Sequence, residues 1–98
     1  MEMLRLSSKS NPKASAGAIA NSIRQYGEVQ LQVIGPRAVN QAVKAIAIAR
    51  GYMAPSGVDL YFMPAFHTVL VEEEERTAIC FEIRPRYPLQ RLITSSPL

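Results

Sequence analysis

Between residues 29 and 50 the chain changes its hydrophobic period within a few residues. Val29, Leu31 and Val33 alternate with Gln30 and Gln32, the two-residue repeat of a strand with one buried face. Ile34-Gly35-Pro36 follows. From Pro36 to Arg50 the chain is rich in alanine and carries Val39, Ala42, Val43 and Ile46 at helical spacing. Proline suits the first helical position because its missing amide hydrogen would be unpaired there anyway, and alanine lets packed neighbours come close. A strand that runs straight into such a helix is half of an α/β unit, and Gly51 is placed to end the helix.

The preceding segment repeats the pattern. Leu4 and Leu6 alternate with Arg5 and Ser7, a polar loop covers Ser7 to Asn11, and Asn11-Pro12 supplies a cap and a helix start. Ala16, Ile19, Ala20, Ile23 and Tyr26 then form one apolar face, closed by Gly27. After Ala54-Pro55-Ser56-Gly57, a turn signal, comes a long hairpin. Its first arm, Val58 to Val71, contains Pro64, which cannot donate to a ladder and implies an edge or a bulge. In its second arm Ile79, Phe81 and Ile83 alternate with Cys80, Glu82 and Arg84, and Pro85 ends the pairing. The order β-α-β-α-β-β predicts an α+β, two-layer fold: a mixed sheet with both helices on one face. The aromatics Tyr61, Phe62, Phe66 and Phe81 are assigned mostly to the core.

Bulk properties narrow the function classes. The 98 residues suit one domain, and 48% hydrophobic with 19% charged residues is too apolar for disorder and too interrupted for a membrane span. No signal-peptide pattern opens the chain and Cys80 has no disulfide partner, so a cytoplasmic location is expected. Four of the eight acids stand together at Glu72 to Glu75, which leaves a net charge of +7 on the other 94 residues. The body is basic and one hairpin tip is acidic.

The run Val33-Ile34-Gly35-Pro36-Arg37-Ala38-Val39-Asn40-Gln41-Ala42-Val43-Lys44-Ala45-Ile46-Ala47-Ile48-Ala49-Arg50-Gly51, followed by Ala54-Pro55-Ser56-Gly57-Val58-Asp59-Leu60, resembles the stage V sporulation protein S (SpoVS) family. Leu4 to Ser10, Pro64 to Phe66 and Glu74 to Ile79 extend the likeness, so residues 1–86 form the matching domain and 87–98 a tail, either loose or docking. That family is similar in turn to the Alba-like superfamily of dimeric nucleic-acid binders. The resemblance implies a regulatory, DNA-associated protein linked to sporulation or development, working as a homodimer or higher homo-oligomer. Alba-type hairpins typically carry basic residues, whereas this tip is four glutamates, which phosphates would repel. If DNA or RNA is bound, the body is expected to bind it.

Three groups are candidate contacts. Ser8, Lys9 and Lys13 belong to the loop and start of the first helix, where hydroxyls, amides and ammonium groups suit phosphate; the resemblance implies the same loop, and an ordinary capped loop is the competing reading. Arg37, Asn40, Gln41 and Lys44 recur at spacings of three, four and seven on the second helix. They form a polar stripe fit for phosphate or base edges, or a solvated face, or a dimer contact. Arg84 and Arg86 would extend the basic surface. No metal site is expected, since His67 lacks partner ligands, and no cofactor. Cys80 reads as a packing residue and no catalytic constellation is visible, so the chain is not expected to be an enzyme. A protein-interaction or assembly module that binds no nucleic acid is the alternative function.

Overall fold

A computed structural model describes residues 2–88. Its elements are β1 (Glu2–Arg5), α1 (Pro12–Tyr26), β2 (Val29–Val33), α2 (Pro36–Met53), a short 3-10 turn (Ala54–Ser56), β3 (Leu60–Val71) and β4 (Glu74–Pro85). The four strands form one sheet in the order β1-β2-β4-β3. β1 and β2 are parallel, and β4 runs antiparallel between β2 and β3, so the expected mixed sheet forms. Pro64 lies on β3, an edge strand, where its missing donor costs no ladder bond.

One core joins the helices to one sheet face. Val29, Leu31 and Val33 of β2 meet Phe81 and Ile83 of β4, Ala16, Ile19, Ala20 and Ile23 of α1, and Ala38, Ala42, Ala45, Ile46, Ala49 and Met53 of α2. Removing a leucine or isoleucine side chain from water contributes about 1.5–3 kcal/mol, so these few large residues carry much of the stability. The opposite sheet face is mixed: Gln30 on β2 donates to Glu82 on β4 at 3.4 Å, while Ala78 and Cys80 of β4 are buried there.

Several expectations are corrected. Four of the six buried residues of α2 are alanines, with Ile46 and Met53, and Val43 is 42% exposed; the stripe is narrow because the small residues let α2 pack close. Tyr26 is 51% exposed because it stands in the last turn of α1, past the core. Gly51 does not end α2, which runs on to Met53; Gly57, with φ +76°, makes the left-handed stop after the 3-10 turn. Of the four aromatics only Phe81 is core, with Phe62 packed edge-on against it at 5.2 Å, while Phe66 is 79% exposed. The physical reason is the hairpin, whose outer part leaves the body as an arm and stretches the molecule to 56 Å by 21 Å by 17 Å. The turn at its tip is only Glu72-Glu73, both with positive φ of 53° and 67°, the geometry of a two-residue hairpin turn. Residues 89–98, most of the expected tail, lie outside the described residues.

Candidate nucleic-acid interface

Because β1 and β2 are parallel, the loops that follow them, and the helices those loops feed, begin at the same end of the sheet. Two distant stretches of sequence, 5–10 and 34–41, thereby become neighbours. The first is knitted by its own hydroxyls: Ser7 N–H donates to Ser10 Oγ at 2.8 Å, and Lys9 N–H to Ser7 Oγ at 3.1 Å. Asn11 Oδ1 then caps α1, accepting from the amides of Lys13 at 2.9 Å and Ala14 at 3.1 Å. Gln41 ties the loop to α2 by donating from Nε2 to the Ser10 carbonyl at 2.9 Å. Gln41 thus has a structural bond as well as a place on the polar stripe.

Between these stretches lies a crevice of about 580 Å³, lined by Arg5, Leu6, Ser7, Ser8, Gln32, Ile34, Gly35, Pro36, Arg37 and Ala38. Its mouth is set by Gly35, whose φ of +90° and ψ of 156° fall in a region essentially reserved for glycine. A β-carbon there would meet no neighbour, so conformation and not space selects this glycine. Lys9, Lys13, Arg37, Asn40 and Lys44 are all exposed. Among the described residues, Arg5, Lys9, Lys13, Arg37 and Lys44 have no acidic side chain within ion-pair distance.

Arg84 and Arg86 sit apart from the other candidates. They lie at the opposite end of the sheet, beside a second groove of about 730 Å³ lined by Gly27, Glu28, Arg84, Pro85, Arg86, Tyr87 and Pro88. Each is neutralised there. Arg84 bonds Glu28 at 3.1 Å and approaches Glu82 at 3.9 Å, while Arg86 bonds Asp59 at 2.8 Å and stands over the Tyr61 ring. Asp59 also takes Arg50 at 3.0 Å, and hydrogen bonds from Arg86 and then Arg50 hold its carboxyl below the ordinary range.

Sequence reasoning passed over Arg5. It closes a four-residue strand, and only its pairing with Gln32 reveals that it borders the start of α2. Cys80 is fully buried, and burial, followed by the Glu82 carboxylate, pushes its thiol up, away from the thiolate that would react. No cluster of metal-ligating side chains occurs among the described residues, and no helix among them is long and apolar enough to cross a membrane.

The family model described as Stage V sporulation protein S (SpoVS) matches residues 2–86. Among solved structures the chain is similar to Alba from Thermoplasma volcanium, with 15% identity and a TM-score of 0.55 over 85% of this chain and 96% of that one. At that identity the likeness concerns the fold, which is Alba-like.

Proposed function

Because the chain belongs to the stage V sporulation protein S family, we propose that it is a non-catalytic, cytoplasmic regulatory protein that binds nucleic acid through the phosphate backbone. One observation carries the reading. Every described cation near the crevice is unpaired, and the acids of the body stand elsewhere. Ser8, Lys9 and Lys13 from the loop side, and Arg37, Asn40, Gln41 and Lys44 from α2, form the contact surface. A polyanion displaces its counterions onto such a surface, and affinity then falls steeply with salt. Arg84 and Arg86, already satisfied by carboxylates, are left out of it.

The working unit is a homodimer. Phe62, Pro64 and Phe66 share one face of β3, and Pro64, Ala65, Phe66 and Ile79 line an apolar groove of about 280 Å³. With Phe66 79% and Leu70 73% exposed, the arm leaves apolar surface that a second copy would cover. The same arm, ending in an acidic turn, favours the second reading, a protein-interaction module.

Titration of labelled duplex DNA and RNA at low and raised salt tests the proposal. Binding that weakens along a straight log–log salt line is expected, and its absence at low ionic strength removes the reading. Recovery of a defined protein partner with no nucleic acid would favour the interaction module instead. Light scattering on wild type and Phe66→Glu tests the dimer, which the variant is expected to dissociate.

A further inference from the structure

We infer that the crevice grips one phosphate ester between Arg5 and Arg37, which makes Arg5 part of the binding surface. The inference rests on the nucleic-acid reading above and deepens it, because Arg5 belongs to the other layer of the molecule. Its neighbours in the register, Gln32 on β2 and then Cys80 on β4, alternate with residues of the core under the helices and mark the sheet face turned away from them. Arg37 stands in the first turn of α2, in the helix layer. Two guanidinium groups from opposite layers therefore border one cleft.

The chemistry of the lining fits one ligand class. Every charged group in it is positive, and neither arginine is engaged by an acid among the described residues. Guanidinium offers planar pairs of donors that match the oxygens of a phosphate. Ser7 Oγ already accepts the Lys9 amide, so its own hydrogen is left to donate, and the Ser8 hydroxyl makes no bond within the described residues. Leu6, Ile34 and Ala38 exclude part of the water around the charges and so weaken screening. The volume exceeds that of a single phosphate, so the group enters either within a polynucleotide or on a free nucleotide. A bound chain then crosses the end of the sheet, from Lys44 along α2 to Arg5, and does not follow the arm.

The test is anisotropy of labelled duplex with the full chain carrying Arg5→Ala or Arg5→Lys, across a salt series, with circular dichroism confirming the fold. Arg5→Ala is expected to weaken binding about tenfold and to lower the salt slope by about one, while Arg5→Lys keeps the slope and recovers part of the affinity. Competition by a 5′-mononucleotide at millimolar concentration assigns the grip to isolated phosphate esters as well; competition by polymer alone assigns it to the chain. A folded Arg5→Ala protein with unchanged affinity and slope, beside a weakened Arg37→Ala, overturns the inference and leaves the functional reading standing. Absence of any DNA or RNA binding by wild type removes that reading, and the grip is then decided by whether inorganic phosphate shifts the Arg5 and Arg37 amide resonances. No shift would overturn it.

Discussion

The two ends of the sheet carry similar numbers of arginines and treat them in opposite ways. At the end where β4 finishes, Arg50, Arg84 and Arg86 meet Asp59, Glu28 and Glu82, and the charges close on one another. Where β1 and β2 finish, Arg5 and Arg37 face a crevice with no acid in it. Exposed pairs contribute little to stability, so the paired end is best understood as a region whose field has been cancelled. The unpaired end keeps its field, at the cost of self-repulsion between like charges. Four acids that offset it in part, Glu72 to Glu75, are placed at the arm tip, beyond the body.

Reversing charge is the strongest way to break this contrast. The double variant Lys9→Glu, Arg37→Glu is expected to lose nucleic-acid affinity by about a hundredfold or more, taking roughly tenfold per reversed contact. Arg84→Glu, Arg86→Glu should change it by less than about threefold at the same salt; equal losses from both pairs would erase the distinction. The next effect is structural: Gly35→Ala, forced into a glycine-only backbone region, should destabilise the protein by about 1–3 kcal/mol in urea and weaken binding by deforming the crevice mouth.

A smaller effect is expected at the tip. Replacing Glu72-Glu73 by Asn-Gly, which suits the two left-handed positions, should stabilise the hairpin by about 1 kcal/mol, measured as slower amide exchange in β3 and β4. It should also strengthen DNA binding slightly by removing two like charges; a weaker complex would assign the tip a direct role. The smallest effect concerns acid at the paired end. Asp59 titrates lower folded than unfolded, so its contribution is present above the ordinary carboxylate range and is lost as pH falls through the folded value. Wild type and Asp59→Asn should therefore differ modestly in melting temperature at neutral pH and converge only as the pH falls below the lowered folded value. A gap that widens in acid would contradict the assigned pairing.

The elements were legible because their periods are local. Val29, Leu31 and Val33 declare a half-buried strand on their own, and Asn11-Pro12 declares a helix start that the capping bonds bear out. What the residues could not declare was distance from the body. Phe66 has the same chemistry as Phe81, yet one lies on the arm and the other under the helices, a difference set by how far the hairpin outruns β2. Val43 misled for another reason: helical spacing marks a broad face, and the close approach allowed by Ala38, Ala42, Ala45 and Ala49 narrows what is buried. Of the candidate site, the loop and the α2 stripe were visible as motifs. Arg5, and the pairing of Arg84 and Arg86 with acids, arise from strand neighbours far apart in sequence.

The strand order also bears on how the chain is made. β4, the last strand of the domain, lies between β2 and β3, so the edge of β2 that it will cover exists long before its partner does. At ribosomal speeds of about 5–20 residues per second, β2 waits roughly 3–10 s for β4 to be synthesised, with Val29, Leu31 and Val33 in the nascent chain. During that interval the backbone of β2 is open to pairing with another nascent copy. Synthesis on crowded polysomes thus leaves this fold open to mispairing until β4 takes its place between β2 and β3, since β2 carries neither a charge nor a proline to discourage it.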